Sequence, residues 1–110
     1  MFLEVKDSLP ISGDGYDGQI IREIKACALD LTTSAEIALP GTIDITISSQ
    51  GVITDNSTLT DELIITTIAT WCNMRIGNPP NYDKLLAAYN ALKGQLRLSK
   101  TYTTSEVTAE

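Results

Sequence analysis

The residue types that could carry chemistry lie in one acidic, glycine-rich stretch near the N-terminus. Gly13, Gly15 and Gly18 match the letters of a dinucleotide-binding loop, but no strand typical of a parallel sheet precedes them. Asp14 would open a calcium loop whose twelfth position requires glutamate, and Lys25 occupies that position. Helix capping is therefore the better interpretation of the aspartate.

Other catalytic signals are weak. The sequence has no histidine, which is the most common general base, and no Gly-x-Ser-x-Gly turn that would expose a serine nucleophile. Cys27 and Cys72 both fall in apolar patterns, so we expect buried free thiols, with a disulfide as the alternative. Their wide spacing does not predict a zinc site. We therefore expect no enzymatic activity, no metal and no cofactor.

Charge is distributed unevenly along the chain. Its 110 residues include 14 acids and 8 bases, with 11 acids and 3 bases in residues 1–62 but 3 acids and 5 bases in residues 63–110. The net charge of −6 argues against nucleic-acid binding, which depends on neutralising phosphates. The asymmetry fits head-to-tail contact between copies, or simply solvated helix faces.

Composition predicts a globular chain. Hydrophobic residues make up 43% and charged residues 20% of the sequence, and we expect a single domain over residues 1–98. No apolar run approaches the roughly 20 residues of a membrane helix. The N-terminal residues turn acidic at once, unlike a signal peptide. We therefore expect neither a membrane span nor secretion by the usual route.

Helical patterns occupy the first third of the chain. The spacing predicts a short helix over 2–8, ended by Pro10, and a long helix over about 15–33. Asp14 can cap the long helix, and Asp17 suits the positive end of its dipole. The apolar stripe of this helix comprises Tyr16, Ile20, Ile24, Cys27, Ala28 and Leu31.

The middle of the chain is typical of strands. Pro40 and Gly41 form a turn signal, after which residues 42–47 alternate between polar and apolar types. A second short run at 52–54 predicts a β-hairpin over about 42–54. Because an isolated hairpin is marginal in water, it must rest on the helices or on another subunit.

Two further helices are predicted. The first is capped by Thr58 or Thr60 and ends near residue 76; its β-branched composition also permits a strand, but its caps and its length favour a central core helix. The second covers 82–98, with Asn81 as its cap and Gly94 either weakening it or admitting another backbone. Its apolar seam comprises Tyr82, Leu85, Tyr89, Leu92 and Leu96.

Together these patterns predict a mainly α fold. It is a small bundle of about three main helices plus the short N-terminal helix, with the hairpin and an extended C-terminal tail. Residues 99–110 are rich in threonine and contain few core residues. We expect this tail to become ordered only on assembly.

Two blocks of this sequence resemble the head–tail connector proteins of tailed phages, also called head-completion, adaptor or DNA-packaging proteins. The first block runs from Val5 through the acidic loop to Ala26, and the second runs from Ala69 to Leu96. In the second, Ala69-Thr70-Trp71-Cys72-Asn73-Met74-Arg75 leads into Asn78-Pro79-Pro80-Asn81-Tyr82-Asp83. Both blocks consist of capping and packing residues. The middle segment, residues 34–58, departs from the mostly helical pattern of the family.

The resemblance implies a structural adaptor located in the neck of the virion and made in the host cytoplasm. Copies would form a ring, twelvefold in expectation, on the portal protein, extend the DNA channel and dock the next neck, stopper or tail protein. DNA would pass through without sequence-specific binding, and an acidic channel would repel it.

Two sets of interface residues follow from this hypothesis. The predicted subunit or portal interface comprises Arg75, Lys84, Lys93, Arg97, Lys100 and Tyr102. The acids predicted to face the channel or a neighbour are Asp14, Asp17, Asp44 and Asp55. Two alternatives remain open: a DNA-binding packaging accessory resembling a small terminase, which would use the basic final helix, and a small regulatory module that binds one host protein.

Overall fold

The computed structural model describes residues 1–10, 13, 15–76 and 80–98. Within this part, the chain forms four helices and one hairpin. In order, the elements are α1 (Phe2–Asp7), α2 (Asp17–Thr33), β1 (Ile45–Ile47), β2 (Ile53–Asp55), α3 (Glu62–Arg75) and α4 (Tyr82–Leu98). The mainly helical fold with a small hairpin that the sequence predicts is confirmed. The predicted tail, residues 99–110, lies outside the described residues.

Helix α3 is the centre of the molecule. It packs against α1, α2 and α4, and its buried side chains cover about half of its circumference. Ile64, Ile68 and Cys72 are inaccessible to solvent and form the middle of the core. This explains why a run of β-branched residues is helical: burial of apolar surface from three neighbouring helices outweighs a small difference in local propensity.

The N-cap of α3 lies one residue beyond Thr60 and three residues beyond Thr58, the two predicted caps. Asp61 is the N-cap, and its carboxylate accepts a hydrogen bond of 3.0 Å from the backbone N–H of Ile64. The predicted caps, Thr58 and Thr60, were therefore wrong. The hydroxyl of Thr58 instead accepts a hydrogen bond of 2.8 Å from the backbone N–H of Thr42, which ties the two ends of the hairpin segment together.

Helix α2 buries the stripe that its spacing predicts. Ile20, Ile24 and Leu31 are inaccessible to solvent. Tyr16, by contrast, is 39% exposed and occupies the N-cap position without a side-chain capping bond. The predicted cap, Asp14, lies outside the described residues.

The hairpin is shorter than predicted. Its two antiparallel strands pair Ile45 with Asp55 and Ile47 with Ile53. The turn closes through a bond of 2.9 Å from the N–H of Gly51 to the carbonyl of Ser48, and Gly51 has a φ of 86°. A three-residue loop that ends in the left-handed region is a common hairpin connection, and glycine adopts that conformation at little cost.

A second glycine permits a close contact at the base of the hairpin segment. A Cβ atom on Gly41 would lie 2.7 Å from the Cα of Leu59, which is itself buried in the core. The backbone can approach this closely only where residue 41 has no side chain. This contact brings the hairpin segment onto the start of the α3 region.

Helix α4 buries only part of its predicted seam. Tyr89 and Leu96 are buried, Leu85 and Leu92 are half-buried, and Tyr82 is 42% exposed. The first half of α4 therefore rests on the bundle less closely than the second half.

Among the described residues, every helix is too short or too polar to span a membrane.

Candidate functional site

A polar network joins α2 to α4 along one edge of the core. The phenol of Tyr89 donates a hydrogen bond of 2.6 Å to Asp30, and the Nζ of Lys93 lies 3.2 Å from the same carboxylate oxygen. The Lys93 ammonium also lies 5.2 Å from the centre of the Tyr89 ring. Asp30 thus holds two α4 residues that are one helical turn apart, and it fixes the rotation of α4 about its axis.

The same network continues from α2 to α3. The indole N–H of Trp71 donates a hydrogen bond of 2.9 Å to Glu23, and the Nε of Arg75 lies 3.5 Å from the same oxygen. The Arg75 guanidinium lies 5.1 Å from the Trp71 ring, which meets Tyr89 edge-on at a centroid distance of 5.1 Å. We call Glu23, Asp30, Trp71, Arg75, Tyr89 and Lys93 the helix-locking network.

The two cysteines lie beneath this network as free, fully buried thiols, as the sequence predicts. The Sγ of Cys27 lies 3.8 Å from the phenol oxygen of Tyr89. Burial raises the pKa of the Cys27 thiol to about 12. Burial, reinforced by the neighbouring Cys27, also raises the pKa of Cys72. Because both thiols stay protonated near neutral pH, they act as packing groups rather than as nucleophiles.

A second polar cluster attaches α1 to the hairpin. The Asp55 carboxylate accepts hydrogen bonds of 2.8 Å from the N–H of Phe2 and 3.0 Å from the N–H of Ser57, and the nitrogen of Met1 lies 2.9 Å away. Partial burial opposes ionisation of this carboxyl, but the hydrogen bonds outweigh it and hold the pKa of Asp55 well below its usual range. Asp55 therefore caps α1 from a strand that is distant in sequence.

An open cleft of about 410 Å³ lies between α1, the start of α2 and the hairpin. Its walls are mainly apolar, and its floor holds an ion pair of 2.7 Å between Lys6 and Asp17. We call this the hairpin cleft; it is lined by Phe2, Leu3, Lys6, Asp17, Gly51, Ile53 and Asp55. Leu3, one of these lining residues, is 68% exposed and leaves apolar surface uncovered.

The predicted basic interface residues fall into two groups. Arg75 and Lys93 are bound within the chain, to Glu23 on one side and Asp30 on the other, although half of the Arg75 side chain remains accessible. Lys84 and Arg97 are exposed on α4. Lys100 and Tyr102 lie outside the described residues. Lys84 and Arg97 are therefore the two predicted interface cations within the described residues that have no partner shown in the chain, and their interface role stays a prediction.

The predicted acidic residues do not form one surface. Asp17 is buried and forms an ion pair with Lys6, which joins the start of α2 to α1. Its role is therefore larger than the predicted interaction with the helix dipole. Asp55 caps α1, whereas Asp44 is exposed on the hairpin segment. Asp14 lies outside the described residues. Two of these carboxylates are thus engaged in holding α1 in place.

The sequence analysis did not single out Glu23, Asp30 or Lys6. Glu23 and Asp30 are seven residues apart at the edge of the α2 apolar stripe, so they lie on the same side of the helix, two turns apart. This seven-residue spacing is the feature of the sequence that could have indicated a shared role for the two carboxylates. Their hydrogen-bond donors on α3 and α4 are 48 and 59 residues away, and nothing in the local pattern specifies them.

No protein-family model, curated protein or solved structure matches this chain. Among the described residues, no group of three or more acidic or cysteine side chains is placed to hold a metal ion. The arrangement is therefore interpreted from its own geometry.

Proposed function

We propose that this chain is a structural assembly subunit of the head–tail connector type, which forms a ring on the portal of a tailed phage. One observation carries the proposal. Among the eight large apolar side chains that are exposed in the described part, Leu3 lines the hairpin cleft beside Ile53, the strand partner of the exposed Ile47, and Tyr82 and Leu86 lie one turn apart on α4. Grouped apolar surface on a small domain is typical of protein contacts.

The order of elements supports the same proposal. The first block of the resemblance covers the second half of α1 and the first half of α2, and the second block covers the second half of α3 and nearly all of α4. The helix-locking network ties α2 to these last two helices through Glu23 and Asp30. The two blocks therefore meet in one rigid unit, which suits a subunit that must transmit contacts between neighbours.

The network also argues against a catalytic use of its residues. Each of its two carboxylates already faces an aromatic hydrogen-bond donor and a cation of the same chain. A carboxylate oxygen that already faces two partners of its own chain is poorly placed to accept a proton from a substrate. These residues are therefore better understood as the device that fixes the helices.

The test is co-sedimentation of the purified chain with the purified portal ring of its own phage or of the closest prophage. We expect binding of one copy per portal subunit. The chain must be shown to be folded by circular dichroism in the same buffer. A folded chain that does not sediment with the portal would overturn the proposal.

A deletion variant sharpens this test. Removing residues 99–110, which contain Lys100 and Tyr102, is expected to abolish portal attachment while leaving the helical circular-dichroism signal unchanged, because the described helices end at Leu98. A matched control replaces the same residues with a Gly/Ser segment of equal length. If the truncated chain still attaches, the tail is not the portal-binding element.

A further inference from the structure

The hairpin cleft has room for one large side chain. Its volume is about 410 Å³, near the lower end of the range of roughly 300–1,000 Å³ that is typical of ligand pockets. Phe2, Leu3 and Ile53 give it apolar walls. The carboxylates of Asp17 and Asp55 lie among the same lining residues. These surroundings suit a side chain with an apolar body and a polar tip, and tyrosine is such a side chain.

The chain already binds one tyrosine in surroundings of this kind. The phenol of Tyr89 donates a hydrogen bond of 2.6 Å to Asp30, and the ammonium of Lys93 lies 3.2 Å from the same oxygen. In the hairpin cleft, Asp17 and Lys6 form the corresponding pair of carboxylate and ammonium, 2.7 Å apart. None of the described lining residues of the cleft is a tyrosine. The third member of this arrangement must therefore come from elsewhere.

The tail supplies a single suitable side chain. Outside the described residues, the sequence contains one aromatic residue, Tyr102, four residues beyond the end of α4. Apart from Lys100, the other residues between 99 and 105 are serines and threonines. A lone aromatic ring among short polar side chains is the usual composition of an anchor that fills a pocket in a partner.

Helices α2 and α4 run in the same direction. Helix α3 leads into α4 through a short connection, so these two helices are antiparallel. Glu23 of α2 binds Arg75, the last residue of α3, which adjoins this connection. Asp30, further along α2, binds Lys93 in the second half of α4. Helix α2 therefore leads away from the connection, as α4 does.

This direction places the hairpin cleft out of reach of Tyr102 of the same copy. Asp17, which lines the cleft, precedes Asp30 by thirteen residues, or about 20 Å along α2. Leu98 lies on the other side of the Asp30 contact, five residues, or about 7 Å, beyond Lys93. Four residues of fully extended chain span at most about 14 Å. Tyr102 therefore cannot bridge the combined distance, even with the length of its side chain.

We infer that the hairpin cleft binds Tyr102 of a neighbouring copy. The ring lies against the apolar walls, and the phenol faces the carboxylates of the cleft. This inference rests on the proposed function, because it gives the tail, residues 99–110, a contact between neighbouring subunits of the ring. The contact is head-to-tail: each copy inserts its own Tyr102 into one neighbour and receives that of the other. Such contacts generate closed rings when the rotation per subunit closes.

The experiment titrates the isotope-labelled full chain carrying Tyr102→Ala with a synthetic peptide of residues 99–110. The substitution removes competition from the tails of the labelled copies, and backbone amide NMR signals report where the peptide binds. We expect saturable shifts confined to residues 2–6, 17 and 51–55, which contain the lining residues of the cleft. Shifts that cluster elsewhere, or no shifts at the highest soluble peptide concentration, would overturn the inference.

Variants of the peptide test the role of the ring. A peptide carrying Tyr102→Ala is expected to bind about tenfold more weakly or not at all, because it lacks the anchor. A peptide carrying Tyr102→Phe is expected to lose affinity only several-fold, since it keeps the ring and loses the phenol. Equal affinities of the alanine and tyrosine peptides would contradict the assignment of Tyr102 to the cleft.

Variants of the labelled chain test the role of the cleft. Leu3→Gln is expected to weaken binding of the tyrosine peptide several-fold, because it makes one apolar wall polar. Leu29→Gln is the matched control: Leu29 is 63% exposed on α2, Leu3 is 68% exposed, and neither substitution disturbs the core. Equal effects of the two substitutions would place the peptide outside the cleft.

A dilution series tests whether the tyrosine comes from a neighbour. The cleft amides of the parent chain and of the Tyr102→Ala chain are expected to agree at low protein concentration and to diverge as the concentration rises. A difference that does not change with concentration would mean that each copy binds its own tail, and would overturn the inference. Because these assays contain no portal, peptide binding without portal binding would leave the contact standing and remove the adaptor function.

Discussion

At the residue scale, Tyr89 of α4 contacts both α2 and α3. Its phenol binds Asp30 of α2, its ring meets Trp71 of α3, and its own helix is α4. Burial and the bond to Asp30 raise the pKa of this phenol. The hydroxyl therefore stays protonated at neutral pH and donates a hydrogen bond. The hydroxyl therefore contributes a charge-assisted hydrogen bond in a buried setting.

We predict that Tyr89→Phe lowers the free energy of unfolding by about 1–2 kcal/mol, because it removes this bond while keeping the ring. Tyr82→Phe is the matched control, since Tyr82 is 42% exposed and its substitution is expected to change stability little. Urea unfolding followed by circular dichroism measures both. Equal effects of the two substitutions would mean that the bond to Asp30 contributes nothing to stability.

The Asp55 carboxylate makes stability depend on pH with a definite sign. Its pKa is lower in the folded chain than in the unfolded chain, where an aspartate titrates near 4. Its contribution is therefore fully present well above pH 4 and is lost as the pH falls below that value.

We predict that Asp55→Asn costs about 1–2 kcal/mol at pH 7, since it weakens the cap on α1 and the bond to Ser57, and that the difference from the parent chain shrinks at pH 3. Asp44→Asn, on the exposed side of the same hairpin segment, is the control for a general change in charge. Urea midpoints at the two pH values give the result. A difference that stayed constant or grew toward pH 3 would contradict the assigned sign.

Local chemistry explains which residue roles the sequence could predict. Burial of Cys27 and Cys72 followed from their apolar surroundings, which are visible in the pattern. The cap on α3 was misassigned because Thr58, Thr60 and Asp61 are all good capping residues and only the backbone path distinguishes them. The roles of Asp17 and Asp55 depend on their contacts with α1. Apolar periodicity does not indicate such contacts between distant parts of the sequence.

At the element scale, two glycines occupy different environments. Gly94 lies in the middle of α4, and a Cβ added there would meet no atom within 4 Å. It therefore weakens the helix without admitting another backbone, which settles the two alternatives that its position had left open. Gly41, by contrast, faces the backbone of Leu59 at a distance that a Cβ cannot adopt.

We predict opposite effects of the same substitution at these two sites. Gly94→Ala is expected to raise the free energy of unfolding by about 0.5–1 kcal/mol, because alanine is the better helix former. Gly41→Ala is expected to lower it by about 1–3 kcal/mol, because the hairpin segment must shift away from Leu59. Thermal unfolding of both variants beside the parent chain is the measurement. Destabilisation by Gly94→Ala would show that α4 needs a glycine at this position.

The elements themselves were largely predictable, and the exceptions have physical causes. The bounds of α4 were predicted correctly, and those of α2 and α3 to within about two residues, because apolar spacing and Pro or Gly signals define them. How much of each seam is covered was not predictable. Tyr82 belongs to the same periodic seam as Leu96, yet one is exposed and the other buried, since coverage depends on where the neighbouring helices end.

At the scale of the whole molecule, the uneven charge of the sequence is divided among different elements of the fold. The part with an excess of acids comprises α1, α2 and the hairpin, and α4 has an excess of bases. Some of these opposite charges pair within the chain: Glu23 binds Arg75, and Asp30 binds Lys93. Lys84 and Arg97 of α4 remain exposed.

The same distribution of charge predicts different DNA affinities for the proposed adaptor and for a DNA-binding accessory. A DNA-binding face needs several cations free to contact phosphates, whereas Lys93 is bound to Asp30 and the chain carries a net charge of −6. We predict that a fluorescent duplex shows no appreciable binding at physiological salt and that the apparent affinity varies little with salt concentration. A protein that used α4 as a DNA-binding helix would lose affinity steeply, by a slope of about −0.9 per phosphate contact in a plot of log affinity against log salt. Arg97→Ala would then reduce that slope by about one contact. A steep slope that this substitution reduces would exclude a purely protein-binding role and favour the packaging accessory.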